Sequence, residues 1–458
     1  MKRLLLILIV CCLLLVAPST RAYQQQTPPQ PVAAVASGTA TLRQETFDIV
    51  WRTVKEKHWD PTLGGVDWDN VRRQYEPKAN AAKTDREFYI VLQEMLGELH
   101  QSHFAIIPPE AIVTEDTHEP QGGGIGVDVR FIDGQAVISK VEPGSRAAAA
   151  GIRTGFVVLQ VNETPVQRVI DRFKNSQESA AIQKLRLARV VLALIDGKPD
   201  TTVKLTVLDG EDKQREFAVQ RERLKGEMSA RLGNFPPQYT EFEAKRLDGG
   251  IGYIRFNIFV MLVLDRIKDA IRNFHGAPGI IIDIRGNPGG FGGMAPGIAG
   301  VLQKTQTSLG VMTMRAGYQN FVAFPQPNPY TGPVVILTDG CSGSTSEIFA
   351  AGMQDIGRAV VVGERTMGAA LPSVFFKLPT GAIFQYAFAD FKTPKGALVE
   401  GNGVKPDVEV KLTRKVLLEG RDPQLESAVE QIKKRAGSGT GSSPSTNGSN
   451  KEFDTRKE

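Results

Sequence analysis

Cysteine is scarce in this 458-residue chain, which has 3, and Cys11 and Cys12 both lie inside the apolar N-terminal run LLLILIVCCLLLVA. Removal of that run would leave Cys341 alone, which excludes an internal disulfide and leaves stability to buried cores. Histidine is nearly as rare, with 5 residues in all. Charge of one sign is lacking too: 55 basic against 50 acidic residues give +5. No basic stripe with interleaved aromatics is present, so nucleic acid is not an expected partner. The apolar run is shorter than the ~20 residues a membrane span prefers. Lys2 and Arg3 precede it and small residues follow it up to Ala22, so residues 1–22 read as a secretory signal and the mature protein as exported, periplasmic or secreted. An uncleaved anchor is the alternative. There is no HExxH pattern, and neither a metal nor another cofactor is expected.

What remains is the composition of a globular protein, 41% hydrophobic and 23% charged, on a chain long enough for about three domains. Residues 23–41 (YQQQTPPQPVAAVASGTAT) read as a linker with nothing to bury. Residues 42–117 carry helical periodicity, with Thr84 or Asp85 capping a third helix on which Phe88, Val91, Leu92, Met95 and Leu96 recur. Residues 118–222 open with the glycine cluster QGGGIGVDV and continue as short alternating strands around the helix RAAAAG. From 223 to 415, nearly all-apolar strands (GGIGYIRF, GIIIDIRGNPGG, VVILTD, AVVVGE) alternate with helices, the pattern of an α/β layered core. A C-terminal helix is expected at 416–436 and a disordered Ser/Gly-rich tail at 437–458.

Acyl transfer needs a nucleophile, a base, a group that orients the base, and donors for the oxyanion. TDGCSGSTSE places Ser342, Ser344 and Ser346 on a strand-to-helix turn, where a hydroxyl is lifted off the backbone; simple helix capping is the competing explanation. In GIIIDIRGNPGG, Gly289 and Gly290 allow bare N–H groups to approach a ligand, and the amide after the nucleophile would add a second donor; Asp283 and Arg285 read as braces of this loop. No histidine or lysine lies between Cys341 and Ala370, so a base must come from elsewhere. The candidates are His58, His100, His103, His118 and His275, with His100 and His103 closing the third helix on one face.

The order of these motifs, with VGERTMG and GNGVKPDVEV after them, resembles the carboxyl-terminal processing, or tail-specific, serine proteases. The resemblance implies a multidomain α/β protein with an N-terminal helical domain, a PDZ domain and a crotonase-like α/β protease core. It implies Ser344 as nucleophile, with oxyanion amides on Thr345 and on Gly289 and Gly290. It also implies a peptide-binding PDZ loop at Gly123, Gly124, Ile125, Gly126 and Val127, although Phe156 stands where that domain usually has Asp. Protein or peptide substrates recognised by their C-termini follow, and a homo-oligomer is compatible with the family. Most members carry a lysine base in T-F-G-K-G, whereas this chain has Ala369 there and Ser373 in place of a supporting glutamine. A second branch, which includes the tricorn core protease and a chlamydial secreted protease, takes a histidine from the helical section and a glutamate just before G-V-x-P-D. The matching residues are His103, preceded by Ser102, and Glu400. Rival readings are a non-catalytic adaptor that has lost its base, and a Ser-Lys enzyme using Lys392 or Lys395.

Overall fold

The computed structural model describes residues 32–111, 122–174 and 179–438; residues 1–31, 112–121 with His118, 175–178 and 439–458 lie outside them, and with them the signal reading and all of the 437–458 tail reading but Gly437 and Ser438, which end a helix. The chain divides into two units, Met1–Thr41 and Leu42–Glu458. The described residues of the first are helical from Val32 onward, where the linker reading expected no regular structure over 32–41; residues 23–31 of that reading lie outside the described residues. Pro31 stands before the helix start, and Ala33, Ala34, Ala36 and Ala40 follow with no further proline, so the local preference is helical even with little to bury.

In the second unit, the part of helix α1 (Val32–Lys57) from Leu42 onward presents Phe47, Val50 and Val54 to α2 (Trp68–Ala81) and α3 (Asp85–Gly97), burying them against Trp68, Val71, Phe88 and Leu92. Asp67 and Thr84 cap α2 and α3 by accepting from Asn70 N–H and Glu87 N–H. The third helix ends at Gly97, not at His103 as its periodicity suggests. His100 and His103 have φ of 51° and 61°, left-handed values that cannot continue an α-helix. The chain then forms strand β1 (Ala105–Ile107), so the 42–117 section is not purely helical.

Residues 122–223 form a second layer. Strands β2 (Val127–Ile132), β3 (Gln135–Val141) and β4 (Val157–Val161) precede helix α4 (Ala180–Ile195), and β5 (Thr202–Leu208) and β6 (Gln214–Gln220) follow; the sheet order is β2-β3-β4-β5-β6. Val129, Phe131, Ile138, Val158, Val191 and Val203 share its core. Phe156 packs into that core against Phe217.

The third layer is a mixed sheet. Strands β7 (Phe242–Arg246) and β8 (Gly252–Phe256) pair antiparallel, and β8 is followed by helix α5 (Met261–Asn273). Strands β9 (Ile280–Asp283) and β10 (Val334–Thr338), helix α6 (Thr345–Asp355) and strand β11 (Val360–Gly363) come next. After them run β12 (Ser373–Lys377), β13 (Ile383–Ala387), β14 (Val408–Glu409) and helix α7 (Pro423–Ser438). The order is β7-β8-β9-β10-β11-β14, parallel from β8 onward. Ile280, Ile282, Val334 and Ile336 point to one face, packed under α5 and α6, and Ile281, Val335 and Leu337 to the other, packed under α7. Strands buried on both faces explain why these segments read as continuous apolar runs rather than alternating ones.

Strand β1 pairs antiparallel with β13, Ala105 opposite Gln385 and Ile107 opposite Ile383, and β13 pairs with β12. Gln93 of α3 clamps the start of β1: its Nε2 donates to Phe104 O and its Oε1 accepts from Ile106 N–H. Leu371, Leu378 and Phe384 complete the core of the helical section. One continuous hydrophobic cluster therefore joins residues before 107 to residues after 370.

Candidate active site

Strand β10 ends at Thr338 and the chain reverses through Asp339–Gly343 into α6. Asp339 Oδ1 accepts from Gly286 N–H and Cys341 N–H, and Ser342 Oγ donates to Ile284 O, which fastens the turn to the end of β9. At the entry to α6, Ser344 has φ 54° and ψ −118°, a strained conformation for a residue with a side chain. Burial pushes the Cys341 thiol up to about 12, so it is inert.

Three other predicted residues converge on Ser344. His103 Nε2 lies 3.1 Å from Ser344 Oγ. His103 Nδ1 lies 2.7 Å from Ser102 Oγ, which donates to Glu400 Oε2 at 2.9 Å. Glu400 Oε1 accepts from Ser102 N–H at 2.8 Å and Oε2 from Ala370 N–H at 2.8 Å. With Glu400 ionised, these bonds favour one tautomer. The single Ser102 proton goes to the carboxylate, so Ser102 Oγ accepts from His103 Nδ1–H, and His103 Nε2 is left as an acceptor facing Ser344. Burial pushes His103 down to about 4, keeping the imidazole neutral, and burial raises Glu400 above the ordinary carboxylate range.

The glycine turn after β9 lies against this turn. Gly289 has φ 101°, and a Cβ there would sit 2.6 Å from Ser344 Cβ and 2.8 Å from Thr345 N. Of the three predicted oxyanion amides, Gly289 N–H is already used: it donates to Asn287 Oδ1 at 2.9 Å. Gly290 N–H and Thr345 N–H have no acceptor among the described residues, and Thr345 Oγ1 donates to Gly290 O, tying the two together. Sequence reasoning missed Asn287, which is fully buried, donates from Nδ2 to Phe256 O and accepts at its own carbonyl from Gly343 N–H and Ser346 Oγ. The signal was in N-P-G-G, where an Asn side chain accepting the amide two residues on makes a turn.

None of the other described histidines is hydrogen-bonded to Ser344. His58 is buried, with Nε2 on Gln101 Oε1 and its ring stacked on Phe104. His100 and His275 are exposed. Asp283 and Arg285 form a buried ion pair that reaches Asp422 and, through Arg255, Asp128. In the glycine cluster, Gly123 and Gly124 pair with Glu222–Arg223, Gly123 N–H is used by Gly197 O, and Ile125 is buried. Gly126 has φ 81°, and its carbonyl accepts from Glu142 N–H, while Val127 opens β2. Arg130 of β2 donates to Asp339 Oδ2 at 3.1 Å, and the pair lines a charged cavity of about 720 Å³ together with Lys184, Cys341 and Glu364.

Comparison with known proteins gives a consistent picture. Residues 250–410 match the model of peptidase family S41, and residues 40–97 that of the tricorn protease C1 domain. A carboxyl-terminal-processing protease of Picosynechococcus sp. is 28% identical over 374 residues, 80% of this chain and 83% of that protein. Tricorn protease homolog 1 of Streptomyces coelicolor is 27% identical over 399 residues, 84% of this chain but 34% of that longer protein. Among solved structures, mature CPAF aligns with a TM-score of 0.59 at 16% identity over 88% of this chain and 99% of that one. The photosystem II D1 C-terminal processing protease aligns with a TM-score of 0.55 at 21% identity over 85% and 97%.

Proposed function

We propose, for a chain that belongs to peptidase family S41 through residues 250–410, that it is an endopeptidase acting on protein substrates near their C-termini, with Ser344 as nucleophile, His103 as base, and Ser102 and Glu400 as the groups that orient the base. The observation that carries this reading is the unbroken path from Ser344 Oγ through both nitrogens of His103 and Ser102 Oγ to Glu400.

Ser344 Oγ attacks the scissile carbonyl as its proton passes to His103 Nε2. The imidazolium then holds a proton on each nitrogen, one hydrogen-bonded through Ser102 to the ionised Glu400, which stabilises the charge. The tetrahedral oxyanion is received by Gly290 N–H and Thr345 N–H. His103 returns its proton to the leaving amine, and a water molecule activated by the same imidazole releases the acyl group. Ala369, where a lysine base is usual in the resembling family, is thereby compensated by a base from the opposite end of the chain. The complete path supports catalysis over a non-catalytic adaptor.

The N-terminal residues belong to this proposal as an export signal, and residues 122–223 as a PDZ-type module that receives substrate C-termini beside the Gly123–Val127 loop. Arg130, bonded to the turn that precedes Ser344, supports coupling between that module and the site. Treatment with a serine-directed fluorophosphonate tests the assignment. Wild type is expected to label, while Ser344→Ala and His103→Ala are not; labelling that persists in His103→Ala would remove the histidine base.

A further inference from the structure

The loop Thr366–Leu371 lies between two carboxylates, the half-buried Glu400 and the buried Glu347, and only Glu400 belongs to the proton path. Glu400 holds its far end through Ala370 N–H. Glu347, fully buried on the first turn of α6, holds its near end. Glu347 Oε1 accepts from Gly368 N–H at 2.7 Å and from Thr366 Oγ1; Oε2 accepts from Ala369 N–H at 2.8 Å and from Ser344 N–H at 3.1 Å. Thr366 Oγ1 accepts from Val404 N–H, so its own proton is committed to Glu347. Ser344 N–H in turn also points at Ala369 O, at 2.8 Å.

We propose that Glu347 is a positioning residue: its carboxylate fixes Ser344 in its strained conformation and, by fixing the 366–371 loop, sets Glu400 and hence His103 at bonding distance. The proposal rests on the reading of Ser344 as nucleophile. Around the Glu347 carboxylate every neighbour is a donor: one hydroxyl and the amides of Ser344, Gly368 and Ala369. Only the ionised form can accept from all four, because a carboxylic acid presents one proton, and a carboxamide two, to a site that supplies nothing but donors. Among the described residues no charged side chain is paired with Glu347; the titratable groups across the loop are Glu400 and His103. Burial pushes Glu347 up to about 7, the Thr366 hydroxyl and the three amides pulling the other way. Loss of its charge would release one of the four donors and let Ser344 and the loop drift, and a displacement of about 1 Å costs roughly 10²-fold in rate.

The test is the pH dependence of fluorophosphonate labelling on the full chain, with folding followed by thermal melting. Wild-type labelling is expected to rise with pH through about 7 as Glu347 ionises, since His103, at about 4, is already neutral there. Glu347→Gln is expected to label roughly 10²-fold more slowly, and Glu347→Asp, which keeps the charge, to recover part of that loss. Thr366→Val removes one donor to the ionised form, so its acid limb should move to higher pH while the melting curve stays cooperative. A Thr366→Val limb identical to that of wild type, or Glu347→Gln labelling at the wild-type rate, would overturn the proposal. Labelling that survives in Ser344→Ala would instead refute the nucleophile assignment, and the proposal with it.

Discussion

At Ser344 the backbone bears the strain that lifts a hydroxyl toward His103, and the neighbouring Gly289 makes room for it. A methyl at 289 would fall 2.6 Å from Ser344 Cβ in a conformation that L-residues rarely adopt. Gly289→Ala is therefore expected to cost about 1–3 kcal/mol of stability and to abolish labelling, as a melting curve and a labelling gel would show together. Ser102 carries a different burden. Ser102→Ala leaves His103 Nδ1–H without its acceptor and separates the imidazole from Glu400; the labelling rate should fall by roughly 10²-fold or more with little change in melting temperature. The serine turn and the Gly289-Gly290 turn facing it were legible, because such turns have a local chemical signature, but only the family resemblance chose Ser344 over Ser342 and Ser346. Asn287 and the four-donor shell of Glu347 were harder to see, since a side chain's partners are set by residues distant in sequence.

The elements explain how His103 reaches the site. Three residues of β1, bonded to β13 and clamped by Gln93, fix the loop that carries Ser102 and His103. Gln93→Met keeps the side chain's bulk but leaves Phe104 O and Ile106 N–H without that partner, a loss of about 1–2 kcal/mol. Because the damage falls on the strand beside His103, labelling should slow several-fold at a temperature where the protein is still fully folded. Unchanged labelling would show that pairing with β13 alone suffices. The helical periodicity through His103 was misleading: Leu99 and Phe104 are buried as the pattern demands, but positive φ at His100 and His103 turns the chain out of the helix. Apolar spacing reports which residues are buried and not how the backbone buries them.

Across the described residues, a chain of charges centred on the buried Asp283 ties the layers together: the half-exposed Asp422 before α7 to Arg285, Arg285 and Arg255 to Asp283, and Arg255 on toward the half-buried Asp128 of the 122–223 layer. Burial alone would raise Asp283, but the Arg285 and Arg255 guanidiniums and the hydrogen bonds from Arg285 and Tyr253 reverse it and hold the carboxyl well below the usual range. A depressed carboxyl contributes stability above its unfolded value, near 4, and that contribution is lost as pH falls through the folded value. Asp283→Asn leaves two buried arginines short of a counter-charge and should cost about 3–5 kcal/mol at neutral pH. The variant's melting temperature should also depend less on pH in the acid range than that of wild type; an equal pH dependence would mean that Asp283 is not ionised in the fold.

The sequence by itself determined the α/β alternation of 250–410, the strand-to-helix turn at Ser344, the glycine turn facing it, and the absence of a base from the segment around Ala369. Each of these is written in neighbouring residues, through propensity, periodicity or turn chemistry. Only the tertiary structure decided that His103 leaves its helix, that Glu400 faces Ser102, that Gly289 N–H is spent on Asn287, and that Glu347 collects four donors. The Gly289–Asn287 and Ser344–Glu347 bonds are local, 2 and 3 residues apart, but the rest depend on contacts at long separation, such as Ile106 with Gln93 at 13 residues and Ser102 with Glu400 at 298. Such contacts exist only once the hydrophobic cluster joining the helical section to residues 371–387 has closed.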